Sequence, residues 1–477
     1  MTLKQKAVRA MSWSIADKLI NQIGNFFIMA YLARLLGPES FGLIGMLAIF
    51  IAISQSLINS GFSQALVQRS KYATERDFST VFLINLALSV LLYVALYAFA
   101  PWISDFYDEE RLTDISRVLF LVLIINAFSV VVNARLAIKL DFRSTAVANT
   151  VSTLFGAAIG LYYGNQGYEH WALVIMTLVK ASVNVLMVWW FCGWVPQLVF
   201  CMDSCRRLFG FGSKLLVAGL IAQVVNNLYV LLTGRYFNAT QVGYLTQATS
   251  LTDRISGFLS SVLHGVTYPV MTSVNDDRDR MVAIYKQLIE ASMLVTLPAM
   301  AGFATIADPF VRLFLGKEWL PIVPVITILC FARIITPISV INLGVLNAIG
   351  RSDLFLRVDL SKLPMTLCAV FLAVPHGVEV VAWAMLITTA ISFFINAYYP
   401  GKLFGFGALS QLRVAWKLIA ATAAMAGLIS FISHSSPAVE IILKVLSGLL
   451  VYGCMLMLLK VEIFTKKLKA ALDLRLG

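Results

Sequence analysis

Long apolar runs separated by short polar or Gly-Pro breaks recur from one end of the chain to the other. Their lengths predict helices at 11–34, 41–66, 78–104, 113–136, 142–164, 170–194, 210–233, 241–271, 284–306, 320–348, 354–375, 377–399, 413–433 and 438–460. Each run suffices for a helix to cross the ~30 Å hydrocarbon layer of a bilayer. The alternation in ~10-residue segments that marks a membrane barrel is missing. The pattern predicts an all-α polytopic membrane protein with about 14 transmembrane helices.

The first helix is not uniformly apolar, because Asp17, Lys18, Asn21, Gln22 and Asn25 interrupt it before the break at Gly37-Pro38. Charges at bilayer depth cost at least ~2.5 kcal/mol each, so this face is expected to meet water or protein, not lipid. The same skeleton returns later: Gln22, Asn25, Arg34 and Gly42 reappear as Gln223, Asn226, Arg235 and Gly243, each 201 positions on. Lys139 and Asp141 are echoed by Arg351 and Asp353 at an offset of 212. Six helices per copy is an even number of crossings, so the copies enter from the same side and are related by an axis along the membrane normal. The expected architecture is two parallel six-helix lobes around a central cavity, plus two C-terminal helices. By residue number, these are an N-terminal lobe at 1–194, a cytoplasmic linker at 195–209, a C-terminal lobe at 210–399, and accessory helices with a basic tail at 400–477.

Composition narrows the class. The chain is 59% hydrophobic and 13% charged over 477 residues, too little charge to clothe a soluble protein of that length. Its net charge of +12 raises nucleic-acid binding, but the basic residues are spread over many short loops and form no single face. Topology accounts for them better. Of 37 Lys and Arg, and counting those near a span's end with the adjoining connection, 25 fall with the termini and even-numbered connections, seven with the odd-numbered ones, and five deeper within the spans. Basic residues favour the cytoplasmic side of short loops, which puts both termini in the cytoplasm. Asp17, Lys18 and Asn21 break what would be a signal-peptide core. Cys201 and Cys205 have no further Cys or His near enough in sequence to complete a zinc site, so no metal is expected.

Candidate chemistry lies in the polar groups at depth. Lys18, Lys180, Arg254, Arg333 and Lys362 fall within spans, accompanied by Asp17, Asp253, Asp359 and Glu290. Along 241–271, Ser250, Asp253, Gly257, Ser260 and His264 repeat at helical spacing and trace one polar stripe, flanked by Arg254. One reading is a hydrated cavity whose positive charge attracts a phosphate or pyrophosphate. The other is internal pairing of Asp17 with Lys18 and of Asp253 with Arg254. His264 is a residue type whose pKa suits carrying a proton, though a lone histidine on a polar helix face is more often structural. Gly156, Gly160 and Gly164 form small-residue steps suited to close helix packing. No phosphate-binding loop ending in Lys-Ser or Lys-Thr is present, nor a His-Glu-x-x-His element, so no ATPase or metalloprotease chemistry is expected.

The N-terminal LKQKAVRAMSWSIADKLINQIGNFFIMAYLARLLGPESFGLIGMLAIFIAI, then INSGFSQALVQR and the later RYFNATQVGYLTQA, resemble the polysaccharide transporter family, which includes Wzx-type O-antigen and colanic-acid flippases. That family belongs to the multidrug/oligosaccharidyl-lipid/polysaccharide superfamily, and the resemblance implies its MATE-like fold. It also implies a flippase that moves an undecaprenyl-pyrophosphate-linked oligosaccharide to the periplasmic leaflet of a bacterial inner membrane. Asp17, Lys18 and Arg254 match in kind the groups that related lipid II flippases carry in helices one and eight; with the other cations within spans, Lys18, Arg254, Arg333 and Lys362 would hold the pyrophosphate. Asn21, Gln22, Asn25, Gln223, Asn226 and Asn227 would bond the sugars, and Tyr244 would stack on them. Asp17, Asp253, Asp359 and His264 would serve as cavity acids or couple transport to a proton or sodium ion. Other partners implied are membrane lipids and polysaccharide polymerase machinery; no cofactor is expected. The second predicted helix departs from related lipid II flippases, offering Gln55, Asn59 and Gln64 but no cation. A drug or cation exporter on the same architecture would prefer a carboxylate-rich interior, and a membrane glycosyltransferase or polymerase would need a large outward loop.

Overall fold

The computed structural model describes residues 3–59, 66, 74–197, 199–202, 220, 223–225, 227–273, 277–461 and 464. Among them there is helix and no strand. The first element, α1, runs Leu3–Asn59 and contains the first predicted helix and most of the second, joined at Gly37, where φ is 70° and ψ 174°. Glycine enters that left-handed region without a Cβ clash, and Pro38 then restarts the helix where its missing N–H is not needed. There follow α2 (Glu75–Tyr107), α3 (Leu112–Leu119), α4 (Leu121–Ile138), α5 (Phe142–Asn165) and α6 (Glu169–Cys192). After a helical stretch at 227–236 come α7 (Ala239–Ser273), α8 (Arg278–Phe310), α9 (Ile322–Ala348), α10 (Ser352–Ala373), α11 (Val378–Phe404), α12 (Ala408–Ser430) and α13 (Pro437–Leu458).

Eleven helical segments among the described residues are long and apolar enough to cross a membrane. One of them, Asn21–Asn59, holds parts of two predicted helices. α7 is not among the eleven because Thr, Gln, Ser and charged residues dilute it, and the predicted helix at 210–233 lies largely outside the described residues. Large apolar side chains face outward, with Trp102 71%, Trp190 77% and Leu449 68% exposed, as lipid-facing positions require.

The chain divides into two compact units, Met1–Gly243 and Tyr244–Gly477. In the first, Leu43, Met46 and Leu47 of α1 pack with Ile103 and Tyr107 of α2, Leu112 and Ile115 of α3, and Ala239 and Val242 at the start of α7. The Tyr107 hydroxyl donates to the Met46 carbonyl at 3.0 Å. The repeat-matched glycines meet here. A Cβ on Gly42 would lie 1.6 Å from the Ala239 carbonyl oxygen, and one on Gly243 2.0 Å from that of Pro38. Gly156 and Gly160 let α5 close on α6, where an added Cβ would come within 2.9 Å of Lys180 and Met176 respectively; Gly164 instead faces Leu35 of α1.

A charged clamp closes the other end of this unit. Arg135 pairs with Glu75 at 2.7 Å, and its guanidinium lies 4.7 Å from the Phe78 ring centre and 5.2 Å from that of Trp194. The Trp194 indole donates to Glu75 at 2.9 Å, and the backbone N–H groups of Gln197 and Cys201 donate to Ser79 and Thr80. Residues following α6 are thus fastened to the start of α2. In the turn between α2 and α3, Arg111 bridges Glu39 at 2.5 Å and Glu109 at 2.7 Å. The hydrogen bond from Arg111 holds the Glu109 carboxyl below the usual range.

In the second unit the two C-terminal helices are built into the core. Met281, Tyr285, Ile289 and Met293 of α8 pack with Ile338 and Ile341 of α9, Ala415 and Leu418 of α12, and Tyr452 of α13. A buried polar knot lies in this core. Tyr285 donates to the Asn342 side-chain oxygen at 2.5 Å, and the Gln411 amide donates to Tyr285 at 2.9 Å and to Asn342 at 3.1 Å. Lys444 of α13, 6% exposed, pairs with Glu440 at 2.6 Å and donates to the Thr305 carbonyl at 3.1 Å.

Candidate functional site

The positions singled out from sequence separate by unit. In the first unit, Asn21 is held by α5: its amide donates to Thr150 at 3.4 Å, and its oxygen accepts from Thr153 at 3.1 Å. The Asn25 side-chain oxygen, one helical turn along the same face, is buried without a hydrogen-bond partner among the described residues. Next to this on α5, Asn149 accepts from Asn184 of α6 at 2.9 Å. α1, α5 and α6 therefore share polar contacts inside the unit, and sequence reading found only the α1 part. Asn149, Thr150 and Thr153 repeat at helical spacing, which is the signal that was available. Asn227 bonds locally to Gln223, donating to its carbonyl at 2.9 Å. Asp17, Lys18 and His264 occupy helical stretches whose side chains lie outside the described residues, and Asn226 lies outside them altogether.

The second unit gathers the charged groups. Arg333 of α9 approaches Asp253 of α7, with Nε 2.5 Å from Oδ1. That contact is out of line with the N–H, so the directed hydrogen bond is the one from Nη2 to Oδ2 at 3.3 Å. The partner of Asp253 is thus Arg333, 80 positions away, and not its neighbour Arg254, which corrects the pairing considered from sequence. Adjacent residues on a helix point about 100° apart, and Arg254 turns instead toward Ser250, its Nε 3.4 Å from the hydroxyl. Ser256 ties α7 to α9 by donating to the Arg333 carbonyl at 3.1 Å.

A second pair lies on α10. Lys362 contacts Asp359 at 2.6 Å and donates to the Asn396 side-chain oxygen of α11 at 3.2 Å. Asn396 in turn donates to Ser339 of α9 at 2.9 Å. The two pairs therefore have α9 in common, through Arg333 and Ser339. Asn396 and Ser339 went unremarked in the sequence because each is an isolated polar residue in an apolar run. Tyr244 has a structural engagement, its hydroxyl donating to the Glu318 carbonyl at 3.0 Å and its ring meeting Trp319 edge-on at 6.1 Å.

Chemically, Arg254, Arg333 and Lys362 with Asp253 and Asp359 form a set of net charge +1. Arg333 and Lys362 do not wait as bare cations; each holds a carboxylate. An incoming dianion would have to take over these bonds, and bidentate guanidinium geometry suits phosphate oxygens as well as carboxylate ones. No group of three or more His, Cys, Asp or Glu able to hold a metal ion occurs among the described residues.

A family model described as polysaccharide biosynthesis protein matches residues 31–324. The teichuronic acid biosynthesis protein TuaB of Bacillus subtilis is 26% identical over 385 residues, covering 79% of this chain and 78% of that protein. The lipopolysaccharide biosynthesis protein WzxC of Escherichia coli is 23% identical over 365 residues, covering 76% and 74%. The succinoglycan biosynthesis transport protein ExoT of Rhizobium meliloti is 23% identical over 390 residues, covering 81% and 78%. In fold, the chain is similar to the lipid II flippase MurJ in an inward closed conformation, with TM-score 0.73 and 14% identity over 97% of this chain and 99% of that one. An inward-facing multidrug resistance MATE transporter of the MOP superfamily gives 0.63 at 16% identity, over 81% and 94%. With most of its first eleven predicted helices inside the matched region, this chain belongs to the polysaccharide biosynthesis protein family and has the fold of the MOP superfamily.

Proposed function

We propose that this protein is a flippase that carries an undecaprenyl-pyrophosphate-linked oligosaccharide from the cytoplasmic to the periplasmic leaflet of a bacterial inner membrane by alternating access. The observation that carries the reading is the charged set on α7, α9 and α10, in a membrane chain whose relatives are named for polysaccharide biosynthesis and transport. Such groups are costly at depth and are kept where a polar cargo passes. The lipid tail stays in the bilayer while the headgroup crosses.

In this mechanism the pyrophosphate displaces Asp253 from Arg333 and Asp359 from Lys362, with Arg254 as a third contact. The exchange trades one ion pair for another, so the cations are never left bare. The released carboxylates then become acceptors for a proton or a sodium ion, which links headgroup binding to an ion gradient without a nucleotide. Both termini lie in the cytoplasm, and a polysaccharide polymerase consumes the product on the far side.

The test is leaflet accessibility of a labelled lipid-linked oligosaccharide in proteoliposomes. Arg254→Ala is expected to slow flipping about tenfold or more, the scale of a lost charge-assisted hydrogen bond. Asp253→Asn is expected to bind bare undecaprenyl pyrophosphate more tightly and to turn over more slowly, because Arg333 no longer has a carboxylate to return to. Wild-type flipping retained in full by Arg254→Ala removes that residue from the site. Wild-type protein that moves no lipid-linked sugar ends the proposal.

A further inference from the structure

Within the first unit, the end of α1 and the middle of α4 enclose a pocket of about 260 Å³ that the charged set does not use. Its polar lining is Gln55 and Asn59 on α1 and Asn126, Ser129 and Asn133 on α4, with three aliphatic side chains completing the wall. The spacing is that of two facing helical stripes, 55 and 59 one turn apart on one helix, 126, 129 and 133 on the other. Ser129 is already engaged, donating to the Asn126 backbone carbonyl at 2.8 Å. The four carboxamides are not: among the described residues none of them has a side-chain hydrogen-bond partner. Among the described residues the lining contains no charged residue.

We infer that this pocket binds an uncharged sugar ring of the translocated headgroup, a reading that rests on the proposed flippase function. Each carboxamide offers donors and an acceptor together, which matches hydroxyl groups that are themselves donor and acceptor. A phosphate would find no cation among the described lining residues, and an apolar ligand would leave four amides without partners, at the cost that buried unmatched polar groups carry. The aliphatic wall suits the C–H face of a pyranose. The pocket also gives a use to a second predicted helix that carries amides and no cation: Gln55 and Asn59 belong to a sugar contact.

The experiment measures binding of the full chain in nanodiscs to bare undecaprenyl pyrophosphate and to the same lipid carrying a single glucose, galactose or N-acetylglucosamine. At least one glycosylated lipid is expected to bind about tenfold more tightly than the bare one, the worth of two or three neutral hydrogen bonds. Asn126→Leu, and separately Asn133→Ala, are expected to erase that increment while binding of the bare lipid stays within about twofold, which also reports that the variants are folded. If the increment survives in both variants, or if no sugar adds affinity to the wild type, the pocket inference is overturned and the flippase reading stands. If the wild type binds neither kind of lipid, both fall.

Discussion

Replacing Gly42 with alanine tests the meeting of the two repeat-matched glycines. The added methyl would sit 1.6 Å from the Ala239 carbonyl oxygen, 2.5 Å from its carbon and 3.0 Å from the Gly243 nitrogen. Real Cβ atoms essentially never come closer than 3.0 Å to such neighbours, so the backbones must part by at least the 1.4 Å difference. All three neighbours are main-chain atoms, which cannot swing aside as the end of a side chain can. Overpacking typically costs 1–3 kcal/mol where side chains yield, so about 3 kcal/mol or more is expected here. The separation would also loosen Leu43, Met46 and Leu47 from Ala239 and Val242. Thermal unfolding of the purified protein in detergent should show a fall of several degrees, reproduced by Gly243→Ala, whose methyl would meet the Pro38 oxygen at 2.0 Å. Gly24→Ala is the control, with nothing within 4 Å of the new methyl, and should be neutral or slightly stabilising. Gly42→Ala as stable as wild type would refute the reasoning.

Tyr285→Phe deletes one member of the buried knot with Asn342 and Gln411 and strands the others, for a loss of about 1–3 kcal/mol in urea or thermal unfolding. Retained stability would mean the knot does not hold α12 to α8. Asn85 is fully buried with neither amide atom bonded among the described residues, so Asn85→Leu should raise the unfolding temperature; a fall would point to a polar partner for that amide. Because Arg111 holds the Glu109 carboxyl below its usual range, this bridge contributes fully above the unfolded carboxylate pKa and is lost as pH falls through the lowered folded value. Its contribution is under about 1 kcal/mol, as for exposed pairs. Arg111→Ala should therefore cost slightly more stability at pH 7 than at pH 3, and an equal cost at both would contradict it.

Helix number and the Gly37-Pro38 break were legible because hydropathy and a glycine–proline pair act locally. The match of Gly42 to Gly243 was legible as a repeat, but that the two touch was not, since a shared offset does not specify a shared contact. The charged residues at depth were legible as anomalies in apolar runs, and so was the single turn between Asp359 and Lys362, while the partner of Asp253 was not. Asp253 finds Arg333 across 80 positions because α7 and α9 pack together, a fact that residue spacing along one helix cannot contain. The sequence suggested Tyr244 as a ring to stack on sugars, and only the placement of Glu318 and Trp319 gives its hydroxyl and ring their engagements. Asn126 and Asn133 were overlooked for a related reason. Isolated amides in an apolar helix become informative only when another helix, here the end of α1, brings Gln55 and Asn59 to face them.

The clamp around Arg135 sets an order of events during biogenesis. Glu75 and Arg135 emerge first, but Trp194 follows Arg135 by roughly sixty residues, several seconds at about 5–20 residues per second of synthesis. In that interval the guanidinium lacks one of its two aromatic covers and Glu75 lacks the indole donor. The packing of the first unit therefore cannot be finished helix by helix. It is completed only once α6 has been made and Trp194 arrives to cover Arg135 and donate to Glu75.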